Sequence, residues 1–256
     1  MQRRIKYLIL YILLVLCAFL PTLASQPFAP WNTSLVIKEV LMTTSLIYPL
    51  WLRILVHITT VVLFVLLYRY GQRIGRIADL YFGVLFLFYA FSQNIALTPT
   101  YGLAIVTGNL FLISVVGLLW MWEAYRPQNE YVFHRLPLWR YWVVPFAVLA
   151  FWFPYGLNLL PDFNPLLLLT SDFGVMFCPT APVVIALLTL VYPHVHRRLL
   201  TVTSLVGLLI GLFNAMAVFT MPGYTLWMFF LHTPLLSISF YGLIIPWLVK
   251  SGPPQE

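Results

Sequence analysis

The chain has 256 residues, of which 62% are hydrophobic and only 8% charged. Soluble domains carry roughly a quarter charged residues, so this composition excludes a water-soluble protein with an ordinary surface. The net charge of +7 follows from where the basic residues fall along the apolar segments, and it is no nucleic-acid footprint.

A membrane helix needs about 20 mostly apolar residues. Eight segments meet that requirement: 5–24, 50–69, 77–97, 101–124, 140–160, 173–192, 199–220 and 224–249. The reading is an all-α fold, a polytopic transmembrane helix bundle of about eight helices forming a single integral membrane domain over residues 1–256. Linkers as short as TMPGYT force neighbouring helices to run antiparallel.

In chain order, the first segment has a second reading as a signal peptide. Arg3, Arg4 and Lys6 precede a short apolar run over 7–20, and Pro21-Thr22-Leu23-Ala24 resembles a cleavage site before Ser25. Cleavage leaves seven helices. Between the first two segments, Leu35, Val36, Lys38, Glu39, Val40, Leu41 and Met42 form a half-amphipathic run suited to an interfacial helix. The second segment carries Arg53 and His57, four residues apart and so on one helical face. Pro154 breaks the fifth just before Tyr155 and Asn158.

The sixth segment opens with Cys178, Pro179, Thr180 and Pro182. Its prolines leave backbone carbonyls without helical donors. In lipid such groups must be satisfied inside the protein, so this end is expected to be buried around a cavity. Pro234 has the same effect beside His232 in the eighth segment, and Gly252-Pro253-Pro254 stops that helix. A faint internal likeness pairs Thr100-Tyr101-Gly102-Leu103 with Asp172-Phe173-Gly174-Val175.

Lysine and arginine set the orientation. Of 14 such residues, Arg3, Arg4, Lys6, Arg69, Arg73, Arg76, Arg126, Arg135, Arg140, Arg197, Arg198 and Lys250 fall on one side of an eight-helix count. Lys38 and Arg53 fall on the other, with Glu39, Asp162 and Asp172. The expectation is an inner or plasma membrane protein, multi-pass, with both termini cytoplasmic and its basic face toward anionic lipid headgroups.

With that orientation, depth follows at about 1.5 Å per residue. The amides and ionisable side chains at depth all fall in the outer half, and with Thr180 the set singled out is Arg53, His57, Asn94, Asn109, Asn158, Cys178, Thr180, Asn214 and His232. Polar side chains kept inside lipid usually face the bundle interior and mark sites. These nine are the expected lining of an outward-facing polar pocket. Interhelical hydrogen bonding accounts for the same residue types, and Arg53 reads equally as a side chain snorkelling to the interface. Asp79 and Glu123 fall at the inner boundary, where arginines are expected to pair with them. Asp162 and Asp172 read as loop acids.

Among cofactors, a b-type haem needs two histidines at matching depth, and His57 with His232 is the pair that qualifies; His134, His194 and His196 fall on the basic side. Copper suits Cys178 with Met176, Met221 and the two histidines by ligand softness. A Cys178–His232 nucleophile pair is a third option. Retinal chemistry needs a lysine in mid-helix, and Lys250 is at the end of the last helix. Hydrolase and phosphate-loop signatures do not occur.

The runs Phe177-Cys178-Pro179-Thr180 and Pro99-Thr100-Tyr101-Gly102 resemble those of an uncharacterised bacterial family of polytopic membrane proteins with a Cys-Pro-Thr opening to a late transmembrane helix. That resemblance implies a membrane location and a permease-like label. The resulting expectation is a non-enzymatic integral membrane protein, permease-like or a complex subunit. Its partners are membrane lipids, other membrane subunits and a small-molecule ligand, with no nucleic acid and no cofactor. The alternative is a haem b- or metal-binding redox protein using His57 and His232.

Overall fold

A computed structural model describes residues 2–133, 135–156, 158–221 and 223–249, with side chains from residue 8 onward. His134, Lys250 and the Gly252-Pro253-Pro254 stop lie outside the described residues. The chain is 70% helical, and among the described residues there are ten α-helices. These are α1 (Gln2–Cys17), α2 (Thr33–Ile47), α3 (Leu50–Tyr70), α4 (Gln72–Ser92), α5 (Thr107–Tyr125), α6 (Val143–Trp152), α7 (Leu167–Thr170), α8 (Phe177–Val191), α9 (Arg197–Thr220) and α10 (Leu226–Leu248).

Five of them, α3, α4, α5, α9 and α10, are long and apolar enough to cross a membrane, which is compatible with an integral membrane protein. The other three expected spans correspond to shorter helices, and local chemistry accounts for each. Helix α1 stops at Cys17, four residues before Pro21. Helix α6 ends at Phe153, which adopts a left-handed φ of 43° immediately before Pro154, a residue that disfavours helical geometry in its predecessor. Helix α8 starts only at Phe177, because Asp172 to Met176 form a tight turn through Gly174 at φ 77°.

A short antiparallel sheet replaces the helix ends expected around residues 95–106. Strands β1 (Leu23–Ala24), β2 (Ile95–Thr98) and β3 (Gly102–Ile105) lie in the order β1-β3-β2, with Ile95 opposite Ile105 and Thr98 opposite Gly102. Asn94 ends α4 by donating through Nδ2 to the carbonyls of Tyr89 and Ala90, both at 3.1 Å. The half-amphipathic run does form a helix, α2. Its buried Val36 and Val40 pack with the sheet residues Ala96 and Ala104, and Glu39 accepts from the Thr100 amide at 2.8 Å. The likeness of residues 100–103 to 172–175 amounts to a turn glycine of positive φ in each, Gly102 and Gly174.

Small residues set how closely the long helices approach, as in membrane bundles generally. A Cβ on Gly117 of α5 would lie 2.9 Å from the Leu87 amide nitrogen of α4, and one on Gly83 equally near that of Met121. Gly207 and Gly242 lie against Ser239 and Ser204 across the α9–α10 seam. Because backbone opposes Gly117, Gly117→Leu is expected to cost about 1–3 kcal/mol through overpacking. Thermal unfolding of the purified protein in detergent checks this; an unchanged midpoint would contradict the close α4–α5 contact.

The connections alternate between two ends of the bundle. One end gathers the turn at Gly71, residues 126–142 and the turn 192–196, and it carries most of the arginines. Its buried acids are not paired with arginine as expected. Asp79 Oδ1 accepts from Tyr131 Oη at 2.6 Å and Asn129 Nδ2 at 2.9 Å. Glu123 accepts from the Asn129 amide at 2.6 Å and contacts His196 Nδ1 at 2.6 Å. Arg140 is buried, but it donates to the carbonyls of Thr189 and Tyr192. Carbonyls freed at the end of α8 take the guanidinium, while the acids take donors from residues 128–131 and, for Glu123, from His196. Burial pushes the Tyr131 hydroxyl well above its ordinary pKa, and the Asp79 carboxylate adds to that, so the phenol stays a donor.

Candidate functional site

At the opposite end, the segment after α1, α2, the start of α5, residues of the stretch from Phe153 to Met176, and the facing ends of α9 and α10 line a cavity of about 900 Å³. Most of its wall is apolar, built from side chains such as Trp31, Met42, Phe153, Phe213, Met216 and Met228. Ser45, Asn109, Asp172, Cys178, Asn214 and His232 supply most of its polar surface.

Among these groups Asp172 is 2% exposed, and its carboxylate gathers contacts from three other side chains. Arg53 Nη1 pairs with its Oδ1 and Tyr155 Oη donates to its Oδ2. Ser45 Oγ lies 3.1 and 3.3 Å from the two oxygens. Arg53 Nη2 then donates to the Ser45 carbonyl at 2.7 Å. Three separated parts of the chain, α2, α3 and residues 153–176, are therefore tied at one carboxylate. The backbone around it is equally fixed: the Asp172 carbonyl accepts from the amides of Val175 and Met176. Ser45, Tyr155 and Asp172 also line a second cavity of about 340 Å³ that Arg53 and Asp162 share. The ion pair is thus a partition between the two spaces.

Of the nine residues expected in the pocket, Asn109, Cys178, Asn214 and His232 line the larger cavity and Arg53 the smaller. Asn214 Nδ2 donates to the Ile210 carbonyl at 2.9 Å and lies 3.6 Å from Cys178 Sγ. His232 Nδ1 lies 2.6 Å from the Met228 carbonyl and 3.2 Å from Tyr224 Oη. The remaining four lie elsewhere. Asn94 caps α4. Asn158 is exposed and accepts from the Leu160 amide at 3.1 Å in a local turn. Thr180 accepts from the Gly174 amide at 2.8 Å and donates to the Met176 carbonyl at 2.7 Å, holding the turn before α8.

His57 is fully buried, with Nδ1 2.7 Å from the Arg53 carbonyl and Nε2 3.1 Å from Ser171 Oγ. Its ring sits edge-on to Phe151 and Phe173. His57 lines neither cavity, so the two histidines suggested as axial haem ligands do not share a wall. Ligation through His57 Nε2 would have to displace Ser171 Oγ, while Nδ1 could keep its bond to the Arg53 carbonyl. Among the described residues no three His, Cys, Asp or Glu side chains are grouped to hold a metal ion.

Asp172, Tyr155 and Ser45 are the site residues that sequence reading missed. A signal for Asp172 existed: Arg53, inside an apolar helix, calls for a counter-charge at its own end. Glu39, Asp162 and Asp172 are the acids there.

No protein-family model, curated protein or solved structure matches the chain.

Proposed function

We propose that the chain is a multi-pass protein of the inner or plasma membrane, permease-like or a subunit of a larger membrane complex, whose chamber faces outward and binds a small molecule without converting it. The observation that carries this reading is the 900 Å³ cavity beside the Arg53–Asp172 partition. Ligand pockets typically enclose about 300–1,000 Å³ and are mostly apolar with a few placed polar groups. The outward direction rests on charge: the arginine-rich end is the one that stays in the cytoplasm. A binding role is supported by how the polar groups are used. Asp172 is held by Arg53, Ser45 and Tyr155, and Cys178 is paired with Asn214, so neither stands as a nucleophile beside a base.

Labelling of Cys178 tests the reading. In a Cys17→Ser background, a membrane-impermeant maleimide added to intact cells is expected to modify Cys178. Cysteines introduced at Arg73, Arg135 and Arg197 are expected to react only after permeabilisation. Labelling of Cys178 only after denaturation, or of the Arg135 position from outside, would overturn it.

A further inference from the structure

The hydrogen-bond directions inside the chamber restrict what it can hold. Asn214 Nδ2 is bonded to the Ile210 carbonyl, which can only accept. Its amide orientation is therefore settled, and Oδ1 is the atom left over. The Met228 carbonyl likewise only accepts, so His232 Nδ1 carries the hydrogen and Nε2 holds a lone pair. Both polar side chains line the same cavity, and both retain acceptors. A ligand that satisfies them must donate.

The charges narrow the class further. Among the described lining residues, the formally charged ones are Lys38 and Asp172. Asp172 is neutralised by Arg53. Lys38 is engaged in a contact of its own. A charged headgroup would be desolvated there without an unpaired counter-charge, which is costly. The donors are therefore hydroxyls rather than ammonium groups.

The rest of the wall describes the other half of the ligand. At the chamber's edge Trp31 is 82%, Phe19 69% and Met216 59% exposed. Phe19 follows α1 and Met216 belongs to α9, and between these elements the rings of Phe19 and Phe213 stand edge-to-face at 5.7 Å. Large apolar groups clustered at a cavity mouth mark contact with lipid or an apolar ligand.

We infer that the chamber binds an uncharged, hydroxyl-bearing amphiphile taken laterally from the membrane. Its apolar chain lies along the aromatic and methionine wall, and its hydroxyls donate to Asn214 Oδ1 and His232 Nε2. This rests on the outward-facing chamber proposed above.

The test uses the full chain with Cys17→Ser in nanodiscs and reads the rate at which a water-soluble maleimide modifies Cys178. Palmitoyl glycerol, which has two hydroxyls, is compared with methyl palmitate and with palmitate. Palmitoyl glycerol is expected to slow labelling at about a tenfold lower mole fraction than methyl palmitate, the difference that two modest hydrogen bonds make. In Asn214→Leu/His232→Leu that gap is expected to close. Equal protection by palmitoyl glycerol and methyl palmitate in the unsubstituted residues, or stronger protection by palmitate, would overturn the ligand class and leave the chamber standing. No protection by any of the three, with Cys178 still reactive, would do the same. A Cys178 that reacts only in denaturant would remove the chamber, and this inference with it.

Discussion

Replacing Asp172 by leucine is expected to destabilise the fold by about 3–5 kcal/mol, and Arg53→Leu by a similar amount, whereas the double substitution costs far less than their sum. The Arg53 and Asp172 side chains are 15% and 3% exposed. Removing either leaves the other buried without its counter-charge, and loss of Asp172 also strips Tyr155 Oη and Ser45 Oγ of their acceptor. Two leucines remove both charges together, a replacement that is often close to neutral in buried pairs. A double-mutant cycle on the purified protein, by chemical or thermal unfolding, measures the coupling. Additivity to within about 0.5 kcal/mol would mean that the two residues do not interact. Because the pair forms the partition between the two cavities, both single substitutions are also expected to quicken maleimide labelling of Cys178.

The long apolar helices were the most legible part of this chain, for a physical reason. An uninterrupted apolar run has few alternatives, and the segments read at 50–69, 199–220 and 224–249 lie within three residues of α3, α9 and α10 at each end. Hydropathy failed where apolar residues serve something other than a span. Ile95 and Leu97 read as a continuation of α4, yet they pair in β2 once Asn94 has capped the helix. The third segment was therefore set five residues too far along the chain, and the fourth began six residues before α5 does. Pro154 was seen to break the fifth segment, but the break ends α6 altogether, and the chain turns back through Leu159 at φ 60°.

In the site, depth counting assigned the polar residues to one end of the chain's helices but said nothing about which way each faces. His57 shares a face with Arg53, as the four-residue spacing implied, and uses that proximity to bond the Arg53 carbonyl along its own helix. Asn94, Asn158 and Thr180 turned to nearby backbone, as short polar side chains do at helix ends and turns. Asp172 was passed over because its neighbours in sequence are those of a loop. Its partners come from 119 and 127 residues away, at Arg53 and Ser45, and spacing along a chain carries no trace of such contacts.

Gly174 is the position where one methyl group is expected to do the most damage. Its φ of 77° is a left-handed conformation that costs an L-residue about 1–2 kcal/mol. A Cβ there would lie 2.9 Å from Val56 Cβ and nearer still to its Cγ1, adding about 1–3 kcal/mol of overpacking. The residue cannot shift freely, since its amide is held by Thr180 Oγ1 and the Asp172 carbonyl closes the turn around it. Gly174→Ala is therefore expected to destabilise by about 2–5 kcal/mol, with Val56→Ala as a partial second-site rescue. The rescue is bounded: relieving Val56 removes the steric part, while the backbone part stays. Thermal unfolding of the single and double variants in detergent separates the two. A Gly174→Ala protein as stable as the parent would mean that the turn does not adopt this conformation. Full recovery by Val56→Ala would assign the whole effect to packing. Because this turn also sets where Asp172 meets Arg53, Gly174→Ala is expected to alter Cys178 labelling in the folded fraction, whereas Gly117→Leu, at the α4–α5 contact, is expected to leave it unchanged.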